Sequence, residues 1–340
     1  MSHNVLITGA SGYLGGTLLA RLGAANLPPY GNLYALVRTD AQAKAVAQYG
    51  AQPLKFDTRD EDAVIAAVVE KGITVVYFLI DALNSTSQTS FIKALGEVKQ
   101  KTGKDVHFLH TSGAKIFSVF AGAPTDKPLL DTDPNLYDIQ KSQVPAVDMM
   151  KAAVDTNRIV IEQSEEYGVR SYIFIPCIVY GKGEGFGNSI SIQTVCIVRA
   201  AKSAKRVYRV DADRPTWPVC HVIDNTNLYI ELLRKILAGE NPDHGKNGYY
   251  LASSGSVAWD DLYAAMAKSL ARRGVITDES VALADDEALE KMGTGLGAPK
   301  DYVPWQLGGK GEKIGWKPIY APEHIIEAAD AEVELILENI

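Results

Sequence analysis

The first half of the chain alternates short apolar runs with stretches in which apolar residues recur at helical spacing. Such runs predict β-strands and such spacing predicts amphipathic helices. Near-continuous apolar strands separated by amphipathic helices are typical of a parallel sheet covered on both faces. The predicted strands are residues 4–8, 33–37, 53–56, 74–80, 106–109 and 171–175. The predicted helices are residues 14–22, 41–49, 61–70, 89–101 and 141–167. The right-handed crossover rule then gives a doubly wound α/β fold with its ligand site at the carboxyl ends of the strands.

The turn between the first strand and the first helix is rich in glycine. Gly9, Gly12 and Gly15 follow a G-x-x-G-x-x-G spacing. Missing side chains let the backbone approach a pyrophosphate, and a helix N-terminus supplies N–H donors and partial positive charge. This pattern predicts a dinucleotide site that also includes Ser11, Tyr13 and Leu14. The alternative is an ordinary strand–helix turn.

Tyr137 is the tyrosine with a lysine, Lys141, four residues later. On a helix these two side chains share a face. An ammonium group beside a phenol lowers a pKa that starts near ~10, so such a tyrosine can exchange a proton with a substrate near neutral pH. The alternative is an exposed tyrosine–lysine pair on a solvated helix face.

Ser112 lies at the carboxyl end of the fifth predicted strand, within His110-Thr111-Ser112-Gly113. In a parallel sheet this end faces the ligand crevice, where a hydroxyl could donate a hydrogen bond to a substrate oxygen. The alternative is a serine that caps a turn.

The glycine spacing, Ser112 and Tyr137-x-x-x-Lys141 together resemble the extended short-chain dehydrogenase/reductase family. Residues 175–181, 220–225, 249–267 and 315–318 resemble later landmarks of that family, so the similarity covers nearly the whole chain. The resemblance implies a Rossmann fold, a nicotinamide cofactor, and Tyr137 as the acid/base supported by Lys141 and Ser112. It also implies that Lys141 contacts the nicotinamide ribose. The residues further assigned to the cofactor are Leu79, Ile80, Asp81, Thr111, Tyr137, Pro176 and Ile178.

The regular alternation fades after Gly181, which indicates a smaller, mixed α/β C-terminal substrate domain. We assign residues 1–181 and about 219–237 to the Rossmann domain, and residues 182–218 and 238–340 to the substrate domain. The elements predicted there are helices 226–237, 259–273 and 322–338, a strand at 249–251, and irregular chain at 293–315.

The chain departs from the family pattern at three places. Pro145 follows Lys141 by one turn, where proline kinks or breaks a helix. The distance from Lys141 to Pro176 suggests an insertion near residues 152–158. Asp81 stands where the family generally has a small residue; it lies either near the nicotinamide ribose or at a solvent-facing strand end.

The end of the second strand bears on the choice of cofactor. An acidic residue there would favour NAD, but the position is Val37 and is followed by Arg38. An arginine fork holds a 2′-phosphate, so we expect NADP(H), with Lys44 as a weaker contact and NAD(H) as the alternative. By resemblance, Asp57 and Thr58 lie beside the adenine.

Two positions bear on the substrate. In relatives that act on nucleotide sugars, an arginine and an asparagine usually stand at the positions of Trp217 and Ile178. Their replacement predicts an apolar or aromatic ligand, with Phe117, Phe186 and Trp217 lining the pocket; core packing is the alternative.

The leading hypothesis is an NADPH-dependent reductase of an aldehyde or ketone, similar to the dihydroflavonol-reductase-like branch, with the proton coming from Tyr137. One alternative is an NAD-dependent nucleotide-sugar epimerase or dehydratase. The other is a non-catalytic regulator that senses NADP(H).

Composition limits the classes of partner that the protein is expected to bind. The 34 basic and 41 acidic residues give a net charge of −7, which argues against nucleic acid or an anionic membrane. The three cysteines show no C-x-x-C spacing, and no metal site is assigned. We therefore expect a cytoplasmic protein, monomer or homodimer, whose partner is a small carbonyl or alcohol.

Overall fold

A seven-stranded, wholly parallel sheet forms the centre of the molecule. The computed structural model describes residues 2–293 and 309–340. Its strands are β1 Val5–Ile7, β2 Leu33–Leu36, β3 Gln52–Leu54, β4 Val75–Phe78, β5 His107–Thr111, β6 Arg170–Pro176 and β10 Tyr249–Ala252. Across the sheet they lie in the order β10-β6-β5-β4-β1-β2-β3. The strand order reverses between β1 and β4, so a ligand crevice forms at their carboxyl ends. The predicted doubly wound fold is confirmed.

Helices cover both faces of this sheet. α3, α4 and α6 pack in a row on one face, and α1 packs with α8 on the other. These helices and α2 are α1 Tyr13–Leu22, α2 Asp40–Ala47, α3 Glu61–Glu70, α4 Thr86–Thr102, α6 Asp148–Glu166 and α8 Val222–Leu237. The strands between them are almost fully buried, which explains their continuous apolar sequence.

Smaller elements cover the carboxyl edge of the large sheet. A three-stranded sheet has the order β11-β9-β7, and a second small sheet pairs β12 with β8. These strands are β7 Ile178–Tyr180, β8 Tyr208–Arg209, β9 Thr216–His221, β11 Gly255–Ala258 and β12 Ala282–Leu283. The remaining helices are α5 Leu136–Ser142, α7 Gln193–Ala204, α9 Trp259–Arg272, α10 Asp286–Met292, α11 Gly309–Lys313, α12 His324–Glu327 and α13 Ala329–Leu337. Short 3₁₀ helices span Ala114–Phe117, Val119–Ala121 and Gly245–Asn247.

Two predicted helices differ from the structure. The helix expected at 141–167 is two helices, because α5 ends at Ser142 and α6 begins at Asp148, on either side of Pro145. Residues 152–158, where we expect an insertion, lie inside α6. The expected terminal helix is divided into α12 and α13.

Two further differences concern the second half of the chain. Of the segment expected to be irregular, residues 294–308 lie outside the described residues and α11 is helical. Strand β10 joins the large sheet beside β6, and β7 joins the small sheet beside β9. The two sheets therefore exchange strands across the predicted domain boundary.

Candidate functional site

The glycine turn is a compact backbone cradle between β1 and α1. Gly9 has φ +67°, a conformation that favours glycine, and its carbonyl accepts a hydrogen bond of 2.9 Å from the Gly12 N–H. A Cβ at Gly9 would lie 2.8 Å from the Leu79 oxygen, and one at Gly15 would collide with the Gly9 carbonyl. The turn thus depends on missing side chains, and it presents the N-terminus of α1 to the crevice.

A cavity of about 520 Å³ extends from this turn across the carboxyl ends of β4, β5 and β6. Nine of the residues assigned to the cofactor line it: Gly9, Gly12, Tyr13, Leu14, Gly15, Leu79, Thr111, Pro176 and Ile178. Two further predicted residues, Ser112 and Trp217, also line it. The structure therefore brings the glycine turn, the end of β5 and part of the small sheet together around one space.

Ser112 occupies the middle of this arrangement. Its backbone N–H donates to the Phe174 carbonyl at 2.9 Å, which fixes it beside β6. Its side chain is buried, and its Oγ has no hydrogen-bond partner among the described residues. The neighbouring Thr111 hydroxyl, by contrast, is 2.8 Å from the Tyr229 hydroxyl. Leaving a buried hydroxyl unpaired is costly, so a ligand group that paired with it would stabilise the complex.

Tyr137 and Lys141 do not line this cavity. The Tyr137 hydroxyl donates to Oε1 of Glu162 at 2.9 Å, and Lys141 Nζ donates to the same oxygen at 3.0 Å. Arg158 donates to the other oxygen of Glu162 at 3.0 Å. The ammonium group of Lys246 lies 5.5 Å from the centre of the Tyr137 ring. The pair shares one helix face, as predicted, but that face turns toward α6 and the 3₁₀ helix Gly245–Asn247.

The pKa of Tyr137 is raised in the structure, whereas the sequence predicted that Lys141 would lower it. Burial raises the pKa of the phenol, and the hydrogen bond to Glu162 raises it further, which outweighs the lowering by Lys141. The pKa of Lys141 is raised chiefly by its hydrogen bond to Glu162. Burial raises the pKa of Glu162, but the hydrogen bonds from Lys141 and Tyr137 hold it below its usual value. In this arrangement Tyr137 is a neutral phenol.

The break at Pro145 explains the position of the pair. It makes α5 a short helix separate from α6, and α6 is the helix that packs on β6. Glu162 was missed at the sequence level, and the signal that could have found it is the i, i+4 pair Arg158–Glu162.

The residues expected around the adenosine lie along the outer edge of the sheet, outside the cavity lining. Arg38 is exposed at the end of β2, and its backbone N–H donates to Gln42 at 2.8 Å. Asp57 is exposed, and its carboxylate accepts a hydrogen bond from the Arg59 guanidinium. This hydrogen bond lowers the pKa of Asp57 to about 2. Thr58 follows it in the same loop. The Gln42 amide reaches the Ser11 hydroxyl at 3.2 Å, which ties α2 to the glycine turn.

Other predicted residues have structural partners elsewhere. Asp81 accepts from the Leu83 N–H at 2.8 Å, so it shapes the turn after β4, and Ile80 is exposed there. Phe117 and Phe186, which we expected in the substrate pocket, do not line the cavity. Phe117 is fully buried and packs against Tyr249. Phe186 packs against Tyr49 in the segment after α2.

The loop that follows β7 packs on the glycine turn. The Tyr13 hydroxyl donates to the Gly181 carbonyl at 2.6 Å, and the Asn188 N–H donates to the Ser11 carbonyl at 3.0 Å. A Cβ at Gly185 would lie 2.5 Å from Gly16 Cα. The glycines of this loop therefore allow two backbone segments to touch, which accounts for the glycine-rich sequence of the loop.

Several cavity residues were missed at the sequence level. Lys115 lies three residues after Ser112, at the start of the chain segment that leaves β5, and it is the charged residue among the described lining. Its spacing from Ser112 is the signal that could have found it. The other missed polar or aromatic residues are Asn188, Gln193, Cys196 and Trp259.

The strand order, the glycine cradle and the cavity at the switch point define a doubly wound, dinucleotide-binding α/β protein. The model of the NAD dependent epimerase/dehydratase family matches residues 5–246. The chain belongs to this family, whose members use nicotinamide cofactors and act on CH–OH groups. The resemblance to extended short-chain dehydrogenases/reductases is thereby confirmed.

Solved structures with the same fold cover nearly the whole chain. UDP-glucose 4-epimerase from Thermotoga maritima is 15% identical with a TM-score of 0.64, over 98% of this chain and 99% of that one. A dTDP-glucose 4,6-dehydratase from Streptomyces venezuelae, with NAD and TYD bound, is 15% identical with a TM-score of 0.67, over 99% and 97%. A monomeric L-threonine 3-dehydrogenase from a metagenome is 17% identical with a TM-score of 0.59, over 98% and 99%. No curated protein matches the sequence significantly.

The described helices include none that is both long and apolar enough to cross a membrane.

Proposed function

We propose that this protein is an NADP(H)-dependent reductase of aldehydes or ketones. The observation that carries the proposal is the single cavity that connects the glycine cradle to the unpartnered Ser112 hydroxyl. A site for a dinucleotide and a free hydroxyl beside it is what hydride transfer to a bound carbonyl requires.

The residues present fit a nicotinamide dinucleotide. The side-chain-free turn at Gly9 and Gly15 would hold the pyrophosphate against the N-terminus of α1. Thr111, Pro176 and Ile178 would lie around the nicotinamide end of the cavity. When bound, the cofactor supplies the hydride that a carbonyl carbon accepts.

Ser112 would hold the substrate oxygen through a hydrogen bond that its hydroxyl group donates. A positive charge near that oxygen would stabilise the negative charge that develops on it, and Lys115, which lines the cavity and whose Nζ lies 5.4 Å from the Phe120 ring centre, would provide it. Two residues are then candidates for protonating the oxygen. Tyr137 is the prediction from the sequence, and Lys115 is the candidate that the cavity supplies.

The comparison of two variants tests the proposal. NADPH oxidation would be followed with aliphatic and aromatic aldehydes, ketones and diketones for Tyr137→Phe and Lys115→Met. We expect Lys115→Met to lose about 10²-fold or more in kcat, a typical contribution of a proton donor, while cofactor affinity is kept. If Tyr137 is the donor, Tyr137→Phe shows that loss instead.

Two matched control variants show whether a Tyr→Phe or Lys→Met change lowers turnover wherever it is made. Tyr208→Phe and Lys151→Met make the same changes outside the cavity lining. Both should retain wild-type turnover. Absence of NADPH oxidation by the wild type with every carbonyl would contradict the reductase proposal itself.

A second candidate function is a non-catalytic sensor of NADP(H). The observation that favours it is the contact of Tyr137 and Lys141 with Glu162 rather than with the cavity. A sensor would bind NADPH and NADP with different affinity, and it would oxidise neither with any carbonyl.

The nucleotide-sugar alternative is supported by relatives such as the epimerase and dehydratase named above. The apolar Ile178 and Trp217 of the cavity count against it, because a diphosphate needs charged or polar partners. Purified protein that carries bound NAD and shows no net nicotinamide oxidation would favour it.

A further inference from the structure

One buried carboxylate has no part in the chemistry proposed above. Glu332 lies on α13, outside the cavity lining, and is 5% exposed. Among the described residues it forms no ion pair, whereas its exposed neighbour Glu334 pairs with Arg273 at 3.4 Å. Removing a carboxylate from water without a cation beside it is costly, so the contacts that Glu332 makes call for an explanation.

Glu332 binds both ends of one loop. Its Oε2 accepts a hydrogen bond of 3.0 Å from the N–H of Gly181, which directly follows β7. Its Oε1 accepts a hydrogen bond of 2.8 Å from the hydroxyl of Thr194, in the first turn of α7. We name the loop between these two points, residues 181–192, the strap. The carboxylate therefore connects α13 to the place where the strap begins and to the place where it ends.

The strap is a compact loop that packs on α1 as well as on the glycine turn. The Gly183 N–H donates to the Ser189 carbonyl at 2.9 Å, which closes the loop on itself. The Glu184 N–H donates to the Thr17 hydroxyl at 3.2 Å, and the Glu184 carboxylate pairs with Arg21 at 3.0 Å. These contacts give the strap one defined position against the first helix.

The strap also forms part of the cavity wall. Asn188 and Ile192 line the cavity together with Tyr13 of the glycine turn. The Tyr13 hydroxyl donates to the Gly181 carbonyl at 2.6 Å, and the N–H of the same glycine donates to Glu332. Gly181 therefore links the buried carboxylate to the cradle through one hydrogen bond on each side.

From these contacts we infer that Glu332 is a positioning residue for the dinucleotide site, because it holds the strap where the strap completes the cavity beside the glycine turn. The inference rests on the dinucleotide binding of the proposed function, and not on the reduction of a carbonyl. Glu332 acts through Gly181 and Thr194, since it does not itself line the cavity. Without the carboxylate, the buried Gly181 N–H loses its acceptor, and the strap occupies its position for a smaller fraction of the time.

Calorimetric titration with NADPH tests this inference. We expect Glu332→Ala to weaken NADPH binding about tenfold, the effect of a strap that is in place about one-tenth of the time. Glu332→Gln should stay within about threefold of the wild type, because its amide oxygen can accept from Gly181 and its N–H₂ group can donate to the Thr194 oxygen. Thr194→Val removes one of the two hydrogen bonds, and it gives the same test if Glu332→Ala folds poorly.

Two controls on the same helix separate this role from a general loss of stability. Glu334→Ala makes the same change at an exposed position. Asp330→Ala removes the hydrogen bond of 2.6 Å from the Ser269 hydroxyl and the ion pairs with Arg272 and Arg273 that hold α13 against α9. Both controls should keep the wild-type affinity for NADPH, even though urea unfolding should show that Asp330→Ala is less stable.

Hydrogen–deuterium exchange follows the strap itself. The N–H groups of Gly181 and Asn188 are both hydrogen-bonded in the structure. In Glu332→Ala, a peptide that covers residues 181–192 should exchange faster than in the wild type or in Asp330→Ala. NADPH should slow the exchange of this peptide in the wild type.

The outcomes separate this inference from the proposed function. Wild-type affinity for NADPH in both Glu332→Ala and Thr194→Val would overturn the inference and leave the reductase proposal standing, as would equal weakening in Glu332→Ala and Asp330→Ala. A loss that Glu332→Gln restores, in a protein that reduces no carbonyl, would uphold the inference and contradict the reductase proposal. Absence of dinucleotide binding by the wild type would overturn both.

Discussion

Arg38 is the side chain on which the proposed choice of NADPH depends. It stands exposed at the end of β2, and its guanidinium forms no ion pair among residues 2–293 and 309–340. Thr39 caps α2 and Gln42 accepts from the Arg38 backbone, so the backbone is fixed while the side chain is free. A free guanidinium at this strand end suits a 2′-phosphate.

Replacing that guanidinium should separate the two cofactors. We expect Arg38→Ala to weaken NADPH binding about tenfold or more, because it removes charge-assisted hydrogen bonds to the 2′-phosphate. NADH has no such phosphate, so its affinity should change less than twofold. Calorimetric titration of both cofactors measures this. Equal weakening of both would show that Arg38 does not distinguish them.

The same scale shows why some side chains could be predicted and others could not. Gly9 and Gly15 are constrained by their own turn, so local spacing is enough to identify them. The surroundings of Tyr137 depend on which way a short helix faces, and its hydroxyl donates to Glu162, 25 residues away along the chain. Trp259 reaches the cavity only through the packing of elements that are distant along the chain.

At the scale of elements, two landmarks of the sequence are held together by Asp224. Its buried carboxylate accepts from the Ile319 N–H at 2.8 Å and from the Tyr320 N–H at 3.0 Å. Its carbonyl accepts from the Trp316 indole at 2.8 Å. Burial raises the pKa of Asp224, and the two backbone hydrogen bonds oppose that rise. The residue thus ties the start of α8 to the segment before α12.

Removing the charge should loosen that connection. In Asp224→Asn, an amide N–H₂ must face one of the two backbone N–H groups. We expect a loss of about 2–4 kcal/mol in the free energy of unfolding, the cost of an unsatisfied buried donor near a lost charged acceptor. Urea unfolding measures it, with the exposed Asp213→Asn as control. A change no larger than that of the control would contradict this role.

Element boundaries show where sequence patterns were sufficient. Helix α3 has the predicted bounds of 61–70, because Asp60 caps it and its buried valines follow the helical period. The chain at 143–147 differs, since Pro145 separates α5 from α6 and thereby decides where Tyr137 points. Short strands such as β9 and β11 escaped prediction because their pairing is set by long-range contacts.

At the scale of the whole molecule, three histidines are held neutral by the fold. Burial lowers the pKa of His110 to about 3 and that of His107 well below its usual value. Burial, followed by repulsion from His324, lowers the pKa of His221 to about 4. Glu332 acts in the opposite direction, because burial raises the pKa of its carboxyl.

These shifts predict that the protein loses stability in mild acid. Below the unfolded-state pKa of about 6.5, the unfolded chain binds protons that the folded chain refuses, so stability is complete above that pH and falls as pH drops toward 4. Each fully buried ring contributes up to about 1.4 kcal/mol per pH unit. We expect the free energy of unfolding in urea to fall by more than about 2 kcal/mol between pH 7.5 and 5.

His110→Gln should make the fall of this free energy with decreasing pH shallower, since it removes a fully buried ring without adding a charge. Equal stability at both pH values, or an unchanged slope in His110→Gln, would show that these histidines do not control the acid response.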